Sequence, residues 1–226
     1  MTTRILALVP AYNEGERVRA VVEGALLHLP VLVVDDGSSD ATARHAREAG
    51  AEVLQQPHNA GKGAALRAGF QHALQHGFDA VVTLDADGQH DPSEIPAFLE
   101  RYAANAAELI IGARDFRPMP PVRRFANSVG RHCFSWALGQ DVLDNQSGYR
   151  LVGRSLMEKT LASDEQGFEF EVEMIVICVR SGYRLDWVTI RTIYADENSH
   201  IQRWPHVKNF FRVVWQTRRA MQRRDR

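Results

Sequence analysis

Short runs that are apolar almost throughout recur along the first half of the chain: RILALVP (4–10), PVLVVDD (30–36), AEVLQQ (51–56), DAVVTLD (79–85) and AELIIGAR (107–114). Uniform apolarity suits strands buried on both faces, as in a parallel sheet covered by helices. Between the runs the period changes. Val18, Val21, Val22, Ala25, Leu26 and Leu29 recur at i, i+3, i+4, i+7, i+8 and i+11, one stripe of a helix. Leu66, Phe70, Ala73 and Leu74 form a second stripe, and Ile95, Phe98, Leu99 and Tyr102 a third. Strand and helix in alternation imply right-handed crossovers and a doubly wound α/β fold: a Rossmann-like, mostly parallel central sheet flanked by helices.

The second half is less regular. PPVRRFANSVGRHCFSWALG is predicted helical after its prolines and carries Arg123, Arg124 and Arg131. DNQSGYRLVGRS reads as a loop entering a short strand. GFEFEVEMIVICVRSG reads as a helix with Phe168, Val172, Ile175, Val176 and Val179 on one face, and YRLDWVTIRTIY as a late strand. A polar loop, ADENSHIQRWP, precedes a C-terminal helix with Val207, Phe210, Phe211, Val214 and Met221 on one face. Neither linker nor internal repeat interrupts the pattern, so one domain over residues 1–226 with C-terminal elaborations is expected.

In such sheets ligands bind outside the carboxyl ends of the strands. Three polar clusters fall there: PAYNEGE after the first strand, DDGSSD after the second and DADGQ after the fourth. In an extended segment residues i and i+2 point the same way, so Asp85 and Asp87 can reach one point. A hard divalent cation, Mg2+ or Mn2+, would relieve their repulsion, with Gln89 as a further oxygen donor. A polar turn accounts for the next residues instead: Asp91-Pro92-Ser93-Glu94 reads as N-cap, proline at N1 and a capping glutamate at N3. An EF-hand is excluded, because its sixth and twelfth positions would be His90 and Pro96.

Asp36 ends the second strand, where an acidic residue often bonds a nucleoside, and Tyr12 offers a stacking face; a turn with an N-cap is the competing reading of DDGSS. No G-x-G-x-x-G follows the first strand, and Lys62 in NAGKG lacks the Walker A spacing. That glycine-rich helix entry suits either close approach to a ligand or simply a tight turn. His72 and His76, four apart, lack the H-E-x-x-H glutamate and read as a solvated helix face.

Composition narrows the class of partner. Of 226 residues 45% are hydrophobic, and the net charge of −1 supplies no field for nucleic acid. From Val207 onward seven Lys/Arg face one Asp, a local basic segment. Cys133 and Cys178 lie in apolar helical segments and read as reduced core residues. No stretch approaches the ~18 apolar residues that span a bilayer. A cytoplasmic protein is expected, at most peripheral on the membrane face.

The ordered set PAYNEGE, VVDDGSSDAT, NAGKGAALRAG, LDADGQHDP, IIGARD, DNQSGYR and FEFEVEM resembles family 2 glycosyltransferases of the GT-A fold, and within them the polyprenyl-phosphate sugar transferases. The match runs from about Leu8 to Met174. The resemblance implies a nucleotide-binding half to about residue 114, an acceptor-side half over about 115–203 and a basic amphipathic helix over about 204–226. It implies that Pro10, Tyr12, Glu14, Asp36 and Lys62 contact the nucleotide of a nucleotide-diphosphate-sugar. Asp85, Ala86 and Asp87 then form the D-x-D metal motif, and Arg114 faces the diphosphate or acceptor. On the acceptor side the resemblance places Gln146, Ser147 and Arg150 of the QSGYR loop, with Arg123, Arg131 and Arg203 as further phosphate-binding candidates. The implied reaction inverts the anomeric carbon. A polyprenyl phosphate needs no general base, whereas a sugar or protein hydroxyl does, with Asp144 and Glu169 as candidates. A nucleotide-sugar-binding module without catalysis is the remaining alternative. Phe210, Phe211, Val214 and Trp215 suit either a membrane surface or packing on the domain. Gln202-Arg203-Trp204 lacks two spacer residues of the Q-x-x-R-W signature, so polymer synthesis is not inferred.

Overall fold

The structure is a computed structural model, and it describes residues 3–114, 121–162, 168–191, 212, 214–219 and 221–222, with backbone alone for 121–127 and 168–169. Every strand expected from the apolar runs is present: β1 (Ile5–Ala11), β2 (Val31–Asp35), β3 (Glu52–Gln55), β4 (Ala80–Thr83) and β5 (Leu109–Arg114). β6 (Arg150–Gly153) and β7 (Leu185–Ile190) join them in one sheet of order β3-β2-β1-β4-β6-β5-β7. The helices are α1 (Arg17–Leu26), α2 (Thr42–Glu48), α3 (Lys62–Gln75), α4 (Ile95–Asn105), α5 (Pro121–Leu138), α6 (Arg154–Thr160) and α7 (Phe168–Arg180).

Side chains of β1 alternate between two cores. Leu6 and Leu8 face a cluster built with Leu66 and Phe70 of α3 and Phe170 and Ile175 of α7. Ala7, Val9 and Ala11 face the other, with Val18 and Val22 of α1 and Ile95 and Phe98 of α4. Period-2 alternation between two helix layers is why the strand is apolar at every position.

The strands run parallel except β6, which lies antiparallel between β4 and β5 and pairs Thr83 with Arg150 and Val82 with Leu151. Alternation in the first half does not reveal this insertion, because β6 is only four residues long and opens on an arginine. Its direction has a consequence. The residues before β6 arrive at the edge where β1, β2, β4 and β5 end.

Two helical readings shift. The α1 stripe departs at its end: Leu26 is exposed, and Leu29 lies past the helix, which finishes at Leu26, yet still packs against the core of Val18 and Val22. α7 is buried on more than one face, with Phe170, Met174 and Cys178 inside as well as Val172, Ile175 and Val176. It lies between the sheet and other helices, so no single stripe describes it. Val207, Phe210 and Phe211 lie outside the described residues. Of the C-terminal helical residues 214–219, Val214 is buried in the first core and Trp215 is half-exposed.

Gly69 of α3 sits directly on β1, where an added Cβ would meet Leu8 Cδ1 at 2.3 Å and Cδ2 at 2.5 Å. Alanine favours a helix by about 1 kcal/mol over glycine, but overpacking a close-packed core costs about 1–3 kcal/mol. Gly69→Ala is therefore expected to lower the urea midpoint, and an unchanged or higher midpoint contradicts the packing. Both cysteines are free, Cys133 partly exposed and Cys178 buried. Burial, and after it the charge of Glu108, pushes the Cys178 thiol up to about 12. Iodoacetamide at mildly alkaline pH is expected to label Cys133 in the folded protein and Cys178 only after denaturation, as peptide mass mapping would read.

Candidate active site

A cleft of about 340 Å³ opens at the carboxyl edge of the sheet, a size that suits a small-molecule ligand. Pro10, Tyr12 and Glu14 line it from the end of β1, and Asp36 from the end of β2. Lys62 enters from the first turn of α3, and Asp85, Ala86 and Asp87 from the end of β4. The separate polar clusters of the sequence therefore share one cavity.

The loops are tied to one another. Asn13 N donates to Ser38 Oγ at 2.9 Å, and Asn13 Oδ1 accepts from Ser39 N at 2.9 Å. Glu14 N and Gly15 N both donate to Thr42 Oγ1. Asp35 and Asp36, adjacent in sequence, divide the work. Asp35 is fully buried and accepts from Ser38 N and Gln55 Nε2, so it holds the turn. Asp36 lines the cleft and accepts from Ala60 N at 2.9 Å and Gly61 N at 2.8 Å, which fixes the entry to α3. A carboxylate has about four acceptor sites, so Asp36 retains acceptor capacity.

The paired carboxylates have a positive neighbour. Lys62 Nζ lies 2.5 Å from Asp85 Oδ1 and 3.2 Å from Glu171 Oε1. Burial alone would raise the Asp85 carboxyl, but the Lys62 ammonium, with His90 after it, leaves it below the usual range. Burial likewise opposes the Lys62 charge, yet Asp85 and Glu171 hold the ammonium above its ordinary value. Asp87 is raised, by burial first and by the charge of Asp85, although Gln89 N donates to its Oδ1. The repulsion that the spacing implies is thus present, and Lys62 relieves it for Asp85. Gln89 meets Asp87 through its backbone. Among the described residues no group of three or more His, Cys, Asp or Glu is arranged to hold a metal.

Several residues inside these motifs build the site through contacts that their spacing does not show. His90 is buried, and its Nδ1 accepts from Asp85 N at 3.0 Å, which assigns the ring proton to Nε2. Its ring lies 5.0 Å from that of Tyr149, which stacks on Phe98 at 4.5 Å. Tyr149 Oη donates to the Asp91 carbonyl, so QSGYR braces the loop that follows Asp87. Asp91 caps the 3-10 turn Pro92–Glu94 as expected, accepting from Ser93 N at 2.9 Å. Glu94, however, accepts from Arg191 N and Nε instead of turning back to cap.

The acceptor-side candidates separate. Arg114 grips Asp144 in two places, Nε to Oδ2 at 2.7 Å and Nη2 to Oδ1 at 3.0 Å. Asp144 also accepts from Gln146 N and Ser147 N. Asp144, a candidate base for a hydroxyl acceptor, has both oxygens engaged, by Arg114 and by the loop that follows it. Arg150 also differs from the expected phosphate contact. It is 1% exposed and donates to the carbonyls of Ser147 at 2.8 Å and Glu171 at 2.5 Å, behind the loop. A guanidinium that opens a buried strand must find its partners locally, and main-chain carbonyls supply them. Ser147 is buried, Gln146 is exposed, and Arg131 is partly buried on α5. Arg203 and the side chains of Arg123 and Glu169 lie outside the described residues. His72 and His76 stack at 4.0 Å between ring centroids on α3; His76 is exposed, as a solvated face requires, but the His72 side chain is only 13% exposed and lies 3.5 Å from Glu52 Oε1.

A mostly parallel sheet with this cleft and an acidic pair at the end of β4 belongs to the GT-A class of glycosyltransferases. Glucosyl-3-phosphoglycerate synthase from Mycobacterium tuberculosis, in complex with uridine diphosphate, has the same fold, with a TM-score of 0.74 at 19% identity over 95% of this chain and 80% of that one. The same enzyme has been crystallised with Mn2+, uridine diphosphate and glucosyl-3-phosphoglycerate (TM-score 0.68, 18% identity, 98% of this chain and 80% of that one). Residues 7–164 match the model of glycosyl transferase family 2, and the chain belongs to that family. It is 34% identical over 207 residues to polyprenol monophosphomannose synthase of Mycolicibacterium smegmatis, covering 84% of this chain and 77% of the relative. It is 33% identical over 205 residues to undecaprenyl-phosphate mannosyltransferase of Micrococcus luteus, covering 83% and 82%.

At Gly148 the loop before β6 touches the charged pair: an added Cβ would stand 2.8 Å from both Asp85 Oδ2 and Lys62 Nζ. Thr83 Oγ1 donates to the Gly148 carbonyl at 2.7 Å, so the backbone cannot easily retreat. Gly148→Ala is expected to destabilise the protein by about 1–3 kcal/mol, measured by urea unfolding; wild-type stability would contradict the close approach.

Proposed function

We propose that this protein moves a sugar from a nucleotide-diphosphate-sugar to a polyprenyl phosphate, with a divalent cation and with inversion at the anomeric carbon. One observation carries the reading. Antiparallel β6 sets the 144–149 loop against Asp85, so a donor in the cleft and an acceptor beside that loop would meet over the acidic pair. The names of the M. smegmatis and M. luteus relatives support the acceptor class. The uridine diphosphate and Mn2+ complexes of the M. tuberculosis enzyme support the donor and the metal.

The donor atoms fit Mg2+ or Mn2+. Asp85 and Asp87 offer two hard carboxylates, with Gln89 as a further oxygen donor, and leave places for substrate phosphates. Burial first, and the charge of Asp85 after it, disfavour the ionised Asp87 carboxyl, and a cation between the two would oppose both. Such an ion, when bound, supplies charge neutralisation for the departing diphosphate.

The chain's own residues do the rest. Tyr12, 45% exposed at the rim, presents its ring to a base, and Asp36 accepts from base or ribose. Pro10, Glu14 and Ala86 shape the same pocket. Lys62 and Arg114 face the negative charge that grows as the sugar–phosphate bond breaks. A phosphate monoester has its second pKa near ~6 and is largely dianionic at neutral pH. Its oxygen attacks the anomeric carbon from the face opposite the diphosphate, so one bond forms as the other breaks and the configuration inverts. No proton has to leave the nucleophile, which accords with an Asp144 engaged by Arg114. Gln146, Ser147, Arg123, Arg131 and Arg203 remain acceptor-side residues of the proposal, and Arg150 supports the loop from behind.

A lipid acceptor requires approach to a bilayer, and no helix among the described residues is long and apolar enough to cross one. Trp136 of α5 and Trp215 are 57% and 55% exposed, with the Arg218 and Arg219 guanidinium groups 5.0 and 5.2 Å from their respective ring centroids. Buried Val214 and Arg218, which donates to the Trp136 carbonyl, hold this helical segment on the domain while Trp215 and Arg219 face outward, an arrangement suited to an anionic lipid surface.

A screen of nucleotide-sugars with Mn2+ or Mg2+ is expected to yield glycolipid with a polyprenyl phosphate and none with the matching polyprenol. Product from the alcohol, or from soluble sugars alone, would overturn the acceptor assignment. Asp87→Ala is expected to lower the rate by about 10²-fold or more, and undiminished turnover would remove the metal role. With a phosphate nucleophile, kcat/KM should rise through the acceptor's ionisation near pH ~6 and then level off. A further rise to alkaline pH, as deprotonation of a hydroxyl would give, contradicts the mechanism.

A further inference from the structure

Lys62 stands between two carboxylates with different surroundings. Asp85 lines the cleft; Glu171 does not, and its side chain is 8% exposed on α7. Glu171 is also fixed in place, since its own carbonyl accepts from Arg150, which holds the Ser147 and Asn145 carbonyls as well. Gly148 leaves the space in which the ammonium lies, where a Cβ would come within 2.8 Å of Nζ. The Asp85 carboxylate that now holds the ammonium is also one of the two that would hold a divalent ion. Two cations crowded on one carboxylate repel each other, so the ammonium has to yield. Glu171, 3.2 Å from Nζ, is where it can go without leaving the site.

We propose that Glu171 is a positioning residue for Lys62: the ammonium serves as the built-in counter-cation of Asp85 before a divalent ion arrives, and Glu171 retains it at the cleft wall once that ion is bound. This rests on the reading of Asp85 and Asp87 as metal carboxylates. It gives the acidic pair partial compensation in the empty site, which lowers its intrinsic affinity for a cation. It also keeps a positive charge beside the diphosphate during transfer. The alternative is that Glu171 acts only as one more negative charge near the metal.

Mn2+ binding to the protein without nucleotide, followed by calorimetry or by the electron paramagnetic resonance of free Mn2+, separates the two. Lys62→Met is expected to tighten Mn2+ by about tenfold, since one opposing charge is removed. Glu171→Gln should weaken Mn2+ by about tenfold in the wild-type background, because Lys62 then rests on Asp85 alone. In the Lys62→Met background the same Glu171→Gln change should have an effect below about threefold. An equal effect of Glu171→Gln in both backgrounds, or a Lys62→Met protein that binds Mn2+ no more tightly, would overturn the proposal. Thermal unfolding checks that each variant is folded, and Lys62→Gln, with the same expected order, replaces Lys62→Met if that protein does not fold. Asp87→Asn is the control: if it leaves Mn2+ affinity unchanged, the metal site itself is wrong, a different failure from that of Glu171.

Discussion

The antiparallel pairing of β6 with β4 is the constraint on which the site depends. Thr83 faces Arg150 across that pair, so the last residue of β4 and the first of β6 lie side by side. A parallel strand in the same slot would deliver its preceding loop to the opposite edge of the sheet. Reversing it brings residues 144–149 to where β1, β2 and β4 end, and the doubly wound half and this loop then share one edge. Arg150 makes the reversal workable. Its guanidinium is buried and bonds main-chain carbonyls of the loop and of α7, which fixes both against the sheet. The Arg114–Asp144 pair does the same from the end of β5.

What these clamps hold in place is a concentration of charge. Asp85, Asp87, Glu171 and Asp144 face Lys62, Arg150 and Arg114 within a few loops. Buried ion pairs contribute little net stability against well-packed apolar residues, because desolvation offsets attraction. Their concentration at one sheet edge fits the charged substrates of the proposed reaction. The arrangement is graded. Asp144 and Arg150 are engaged and structural in their contacts, whereas Asp85, Asp87 and Lys62 line open space.

Much of this was legible in the residues. Uniformly apolar runs located five strands because burial on both faces leaves a plain signature. The polar clusters after them located the cleft because strand ends in a parallel sheet point one way. Asp91 was separable from Asp85 and Asp87 because capping has its own spacing. The rest was hidden for physical reasons. The short strand after DNQSGYR was expected, but four residues carry no sign that β6 runs antiparallel between β4 and β5. His90 and Tyr149 act through a backbone acceptor and a ring contact, which no spacing rule records. Arg150 looked like a phosphate contact and Asp144 like a candidate base because a charged residue in a loop gives no sign of facing inward. Glu171 sat within FEFEVEM, yet only the position of Lys62 shows why a carboxylate is buried there. A charged side chain on the buried face of a helix was the available hint.

The most direct test is a crystal structure of the protein with Mn2+ and a nucleoside diphosphate. The account predicts the metal bridging Asp85 and Asp87 to the diphosphate, the nucleoside between Tyr12 and Asp36, and Lys62 moved from Asp85 toward Glu171. A metal bound elsewhere, or a nucleotide outside the cleft at the ends of β1, β2 and β4, would contradict it.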